Sequence, residues 1–237
     1  MLDEVHPRRS SRSRCWHFKR PPVTLAFMVI TYHGAEFFKV SFGDVTLAFN
    51  PVSKDSKLKG TRFGADIAFV STNHADFNGA AEVAYGDRQP FVVSGPGEYE
   101  VQKIFIRGLP SESSYGGEPH VNTTYVVELE GMHLCFLGAL TNRKLPAETK
   151  GALPDIDILF VPIGGGDVLS AVEAHELAVE LEAKLVIPMH YDGSASDADA
   201  LKLFLKEAGS AVAPVDKLTL KKKDLEGKEG EIVVLSN

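Results

Sequence analysis

Cysteine is scarce in this chain: Cys15 and Cys135 are the only two among 237 residues. Two thiols cannot build a disulfide framework or a four-thiolate zinc site, so a reducing, cytoplasmic setting is expected. Long apolar runs are missing too, and nothing approaches the ~20 residues a membrane-crossing helix needs. The stretch Val23-Thr24-Leu25-Ala26-Phe27-Met28-Val29-Ile30 is too short to span, and no small-residue cleavage site follows it. No membrane association is expected. Positive charge is in short supply over most of the chain. The formal net charge is −7, although Arg8, Arg9, Arg12, Arg14, Lys19 and Arg20 all fall in the first 27 residues. The rest is an acidic body, which argues against nucleic-acid binding, since that needs cationic surface to displace counterions. There is no repeat at solenoid or propeller spacing.

Residues 1–27 lack helix or strand periodicity and are rich in Arg, Ser and Pro. They read as a basic, disordered tail, as an Arg/Ser-rich targeting segment, or as sequence upstream of a start at Met28. Residues 28–237 read as one domain with a substantial core. Strands are expected at Met28–His33, Phe37–Phe42, Val45–Asn50, Ile67–Ser71, Phe91–Ser94, Val101–Arg107, Thr123–Leu129 and His133–Leu137. A short helix is expected from Asn78 to Ala84, and Glu130-Gly131 reads as a hairpin turn. After Pro146 the pattern alternates: strand Ile156–Pro162, helix Ser170–Glu182, strand Leu185–Pro188, helix Asp197–Ala208, then strands Leu218–Leu220 and Ile232–Leu235. Strands first and βαβα later indicate two sheets packed face to face with helices outside, an α/β architecture.

Two places carry residues suited to chemistry. The apolar run Ile67-Ala68-Phe69-Val70 leads into Ser71-Thr72-Asn73-His74-Ala75-Asp76-Phe77-Asn78-Gly79. A buried strand that ends in a short polar loop can point His74 and Asp76 into a cleft. His190 likewise ends Leu185-Val186-Ile187-Pro188-Met189, at the strand end where ligands gather in α/β folds. By itself His190 fits a hydrogen-bonded structural role as well as a ligand role. His33 at a strand end suits a core role but could substitute for a lost ligand. His120, in Gly116-Gly117-Glu118-Pro119-His120, suits a solvated loop, and His133 and His175 suit structural or exposed positions. Cys135, in mid-strand, suits a small buried hydrophobe. Gly95-Pro96-Gly97-Glu98-Tyr99 reads as a tight turn, with Glu98 the best spare carboxylate. Gly164-Gly165-Gly166-Asp167 lacks the lysine and spacing of a phosphate loop and reads as a βα connection.

Several short motifs in order now resemble one superfamily. They are Ile30-Thr31-Tyr32-His33-Gly34, Phe49-Asn50-Pro51, the Val70–Gly79 loop, Gly95–Tyr99, Cys135-Phe136-Leu137-Gly138-Ala139, Val161-Pro162-Ile163-Gly164-Gly165 and Ile187-Pro188-Met189-His190-Tyr191. From Met28 to about Ala208 the chain resembles the metallo-β-lactamase fold. It is most similar there to the small lactonase-like hydrolases, the subgroup that includes L-ascorbate-6-phosphate lactonase. The resemblance implies a four-layer αββα sandwich and a dinuclear metal site, and it shows which ligands are gone. The family's loop carries three His and one Asp; here His74 and Asp76 match, while Thr72 and Phe77 replace the outer His. His190 matches the His after the last core strand. The later His of the first metal falls near Ser113, the bridging carboxylate position is Ala139, and two further polar positions are Ala35 and Asn50.

Two dications ~3.5 Å apart repel by ~19 kcal/mol at an effective dielectric of 20, and bridging anions normally offset this. With Asp76 the only family carboxylate left, two ions are not expected. A set of His74, Asp76 and His190 could hold a single zinc, manganese or iron ion. The expectation is therefore a hydrolase-like protein with a degenerate metal site, holding no metal and binding a small molecule in its cleft. The alternative is a single-metal hydrolase of a lactone, ester or phosphoester. A homo-oligomer is compatible with either.

Overall fold

The computed structural model describes residues 27–191 and 197–237; the tail expected over residues 1–27 lies, except for Phe27, outside the described residues. In chain order the strands are β1 (Met28–Tyr32), β2 (Phe38–Phe42), β3 (Val45–Phe49), β4 (Ile67–Phe69), β5 (Phe91–Val93), β6 (Gly97–Val101), β7 (Ile104–Ser113), β8 (His120–Leu129) and β9 (Met132–Phe136). Helix α1 (Ala147–Ala152), strand β10 (Ile158–Pro162), helix α2 (Ala171–Glu180), strand β11 (Leu185–Met189), helix α3 (Asp197–Glu207), and strands β12 (Leu218–Leu220) and β13 (Glu231–Ile232) complete the chain.

They form a six-stranded sheet ordered β12-β1-β2-β3-β4-β5 and a seven-stranded sheet ordered β13-β11-β10-β9-β8-β7-β6. The inner faces meet in one large core, in which Phe38, Phe49, Phe69, Tyr125, Phe136 and Phe160 interlock. Phe49 stacks on Phe69 with ring centroids 4.4 Å apart, a favourable parallel contact between neighbouring strands. Strands β10 and β11 are buried on both faces, so their sequences run continuously apolar rather than alternating. A second cluster packs α2 and α3 on the outer face of the seven-stranded sheet. The outer layer of the six-stranded sheet is thinner. The expected helix from Asn78 to Ala84 is a 3-10 turn, Ala80–Val83, which with residues 52–65 covers Phe37, Ala48 and Ala68.

Two differences from the sequence reading have local causes. Gly95–Tyr99 is not a turn between strands: Gly97–Val101 is edge strand β6, and the chain reverses at Gln102 and Lys103, which carry φ of +52° and +68°. Helix α1 is only six residues long and contains Gly151, which hides its period. The Glu130-Gly131 turn joins β8 to β9 as expected, with both residues at positive φ.

The C-terminal ends of parallel strands β9, β10 and β11 lie together at one rim of the sandwich. The loop after β4 meets them there, with the Thr123 amide donating to the Ser71 carbonyl at 2.8 Å across the two sheets.

Candidate metal centre

The loop after β4 is held from behind. Asn50, at φ +45°, accepts from the Ser71 amide at 2.9 Å, and its side-chain amide donates to Ser71 Oγ and Glu36 Oε2, each at 2.8 Å. Thr72 is buried and donates to Asn122 Oδ1 at 3.1 Å. Asn122 in turn donates to Ser111 Oγ and to the Leu137 carbonyl, both at 2.8 Å. This polar layer fixes the start of the loop, the side chains of Asn50, Thr72 and Asn122 being hydrogen-bonded as burial demands.

Beyond that layer the residues that the resemblance sets at ligand positions lie in apolar packing. Phe77 is 0% exposed and lies with Ala139 and Val168 in a small apolar cluster. Tyr115 packs against this cluster from the 3-10 turn Tyr115–Gly117, which follows β7. Its ring centroid is 4.7 Å from that of Phe77, 4.9 Å from His74 and 5.5 Å from His190. Its hydroxyl donates to Asp76 Oδ2 at 2.8 Å. The other Asp76 oxygen takes the Ser56 hydroxyl. His74 Nδ1 accepts from the Asp76 amide at 3.2 Å, which places the proton of a neutral imidazole on Nε2. For that reason we read the 3.6 Å approach of Nδ1 to Asp76 Oδ2 as no ion pair. Burial, and after it the bond to the Asp76 carboxylate, pushes the Tyr115 phenol far above its ordinary pKa, so it stays a donor.

His190 ends β11 at φ +61°, with its amide donating to the Ala35 carbonyl at 2.6 Å. Gly164 lets it sit there: a Cβ on Gly164 would lie 2.4 Å from the His190 carbonyl oxygen. Nδ1 of His190 faces Glu36 Oε1 at 3.4 Å, and Glu36 is 0% exposed. A wholly buried carboxylate is costly unless a donor faces it; the Asn50 side-chain amide fills that role at Oε2, and the His190 ring stands beside Oε1.

Tyr115 and Glu36 were not singled out in the sequence. The signals available were faint: a lone aromatic in a Ser/Gly-rich loop, and an acid between Ala35 and Phe37 at the start of a buried strand. Ser113, near the expected position of a lost His, is buried, and its Oγ accepts from the Tyr115 amide at 3.1 Å. It now helps set the tyrosine in place. The two suggested substitutes lie elsewhere. His33 packs on Phe37 and Phe63 with centroids 5.2 and 5.4 Å away, and burial with nearby Lys39 holds its pKa down. Glu98 stands on β6 with its side chain 86% exposed, 3.8 Å from Arg107. Neither joins the cleft.

The residues present do not fit a pair of metal ions. Ala139 and Phe77, which the resemblance sets at a bridging and a ligand position, are a buried methyl and a buried phenyl ring, and Asp76 has both oxygens engaged by hydroxyls. The expected single-ion set of His74, Asp76 and His190 is not brought together in this arrangement. Among the described residues no three His, Cys, Asp or Glu side chains converge as a cation site requires. The reason is steric, since the Tyr115 ring touches both His rings and its hydroxyl takes the carboxylate.

Two mixed sheets with the site at their shared rim define a metallo-β-lactamase-type sandwich. Residues 29–190 match the family described as Beta-lactamase superfamily domain, and the chain belongs to that family. A metal-dependent hydrolase of family UPF0173 from Salinibacter ruber is 26% identical, covering 77% of this chain and 94% of the relative. A UPF0173 metal-dependent hydrolase from Listeria innocua is also 26% identical, covering 70% and 86%. Among solved structures, a Thermotoga maritima protein assigned to the zinc-dependent hydrolases of the metallo-β-lactamase superfamily is 29% identical. It superposes with a TM-score of 0.70, covering 88% of this chain and 98% of its own. Igni18, a metallo hydrolase from Ignicoccus hospitalis, shares the fold at 19% identity and a TM-score of 0.59. Among the described residues no helix is long and apolar enough to cross a membrane.

Proposed function

We propose that this chain keeps the hydrolase framework of its superfamily but has given its dinuclear centre over to packing, and that it works by binding rather than by metal-assisted hydrolysis. The observation that carries this reading is Phe77, wholly buried against Ala139 where two ligand positions fall by resemblance. Metal hydrolysis needs a fixed ion with an open coordination position, and a phenyl ring beside a methyl offers neither. The space still open at this rim is a cavity of about 480 Å³ bounded by Ser71, Asn73, Ser94, Pro96, His120 and Thr123. Its size suits a small polar molecule, and its hydroxyl, amide and imidazole groups suit hydrogen-bonding recognition without charge.

A second reading has one observation in its favour. His74, Asp76 and His190 all stay at the cleft, and the relatives are named metal-dependent hydrolases. In that reading a single ion assists hydrolysis of a lactone, ester or phosphoester.

Elemental analysis of the purified protein after dialysis separates the two. The binding reading expects well under one equivalent of zinc, manganese or iron and no turnover of a simple lactone or phosphoester. A closed zinc site is worth ~10–16 kcal/mol and survives dialysis. Two tightly held equivalents with hydrolysis would overturn the binding reading. One equivalent, lost together with hydrolysis in His190→Ala, would establish the single-ion enzyme instead.

A further inference from the structure

Tyr115 is in contact with every element of the former site. It reaches the aromatic rings of His74, Phe77 and His190, the carboxylate of Asp76 and the apolar cluster around Ala139. Phe77 also lies near both imidazoles, with ring centroids 6.0 and 6.4 Å away, but Tyr115 sits closer to each and also bonds the Asp76 carboxylate. We propose that Tyr115 is an internal plug: its ring fills the volume a metal would need, and its hydroxyl takes over the Asp76 oxygen a metal would use. This rests on the reading that the wild-type centre is not metal-loaded, and it deepens that reading by naming the residue that keeps it so.

The backbone around the tyrosine is made for such a part. Gly116 and Gly117 follow it at φ +75° and +86°, in the left-handed region that side chains other than glycine rarely adopt. A Cβ on Gly116 would lie 3.4 Å from His74 Nε2, so the loop is laid directly on the imidazole. Behind the tyrosine, Ser113 Oγ accepts from its amide, and Thr141 Oγ1 accepts from the Ser114 amide at 3.2 Å. The segment is thus pinned by hydrogen bonds on one side and turned by two left-handed glycines on the other. The plug is also chemically suited to its position. A carboxylate within a partly buried aromatic cluster needs a donor or a cation, and a neutral phenol supplies the donor without bringing charge. Withdrawing the ring frees Asp76 Oδ2 and uncovers the His74 and His190 imidazoles on which it lies, leaving the residue types of a His₂-carboxylate set that divalent transition ions accept. The plug therefore decides whether the cleft is a hydrogen-bonded pocket or a cation site.

Cobalt(II) titration followed by visible absorption tests this, because ligand-bound cobalt shows d–d bands that the hydrated ion lacks. Wild type, Tyr115→Ala, Tyr115→Ser and Tyr115→Phe are compared after each has been shown folded by far-UV circular dichroism. The two small variants should bind cobalt at least about tenfold more tightly than wild type, a difference of ~1.4 kcal/mol. Tyr115→Phe keeps the ring and should stay excluded. Asp76→Asn on the Tyr115→Ala background should abolish the new bands and so locate the ion. Folded small variants that bind no better than a wild type without metal would overturn the plug while leaving the binding reading intact. A wild type that binds cobalt as tightly as Tyr115→Ala, with activity, would overturn both.

Discussion

Phe77 and Ala139 complement each other. One brings a large apolar ring to the cleft rim, and the other sets a small methyl beside it. A polar group at either position would face an apolar one, whereas together they make a dry contact with Val168. Placing a ligand residue at position 77 should therefore harm the protein. Phe77→His removes apolar area from a fully buried site and inserts a polar ring with no partner among the described residues. Its expected cost is about 2–4 kcal/mol. At this chain length that is a fall of roughly 5–15 °C in melting temperature. Thermal unfolding of the variant measures it, and an unchanged midpoint would contradict the packing account. The proposal that Thr72, Phe77 and Ala139 stand at ligand positions rests on short motifs in order along the chain. What packs against them could not be read there. Tyr115 lies 39 residues from the carboxylate it binds, and nothing in Ser-Ser-Tyr-Gly-Gly distinguishes an inward tyrosine from a solvated one. Glu36 was hidden by the opposite effect: an acid in a loop is ordinarily a surface residue, and only the fold brings Asn50 and His190 to it.

Among the elements, the buried strands were the most legible. Continuous apolar runs such as those of β10 and β11 permit few other conformations at that length. Strand β6 was obscured because Gly-Pro-Gly looks like a turn, while the true reversal uses Gln102 and Lys103, residues with no turn signature. The connection after β9 carries the sharpest local requirement. Gly138 sits at φ +63°, and a Cβ there would fall 2.5 Å from both Asn122 Oδ1 and Ser71 Cβ. The loops after β4 and β9 meet at this point, so the glycine sets how closely the two halves of the polar layer approach. Gly138→Ala should cost about 2–5 kcal/mol, combining left-handed backbone strain of ~1–2 kcal/mol with overpacking of ~1–3 kcal/mol. The expected sign is a loss seen in denaturant midpoint with an unchanged slope. A neutral Gly138→Ala would mean that the loops give way freely and that the layer does not hold them in register.

At the scale of the molecule, the cleft is where the two sheets are tied at one rim. In a metal-loaded relative an ion can supply such ties. Here they are three hydrogen bonds, Tyr115 to Asp76, Thr72 to Asn122 and Thr123 to Ser71, and the close approach of His190 to Glu36. All of these lie within residues 36–190, and the β1 pairing begins at Met28, which is fully buried opposite Phe42 and Leu220. Phe27 is the last described residue before that strand and is half exposed, with Lys221 Nζ 4.0 Å from its ring centroid. An exposed cation–π contact of this kind contributes ~0.5–1 kcal/mol. We therefore propose that a chain starting at Met28 folds as the longer one does. Its melting temperature should fall by no more than about 4 °C, since each kcal/mol corresponds to ~2–4 °C at this size. A drop of about ten degrees or more would exceed what the Phe27 contact can supply. It would then assign residues 1–27 a packing role against the folded domain rather than that of a dispensable basic tail.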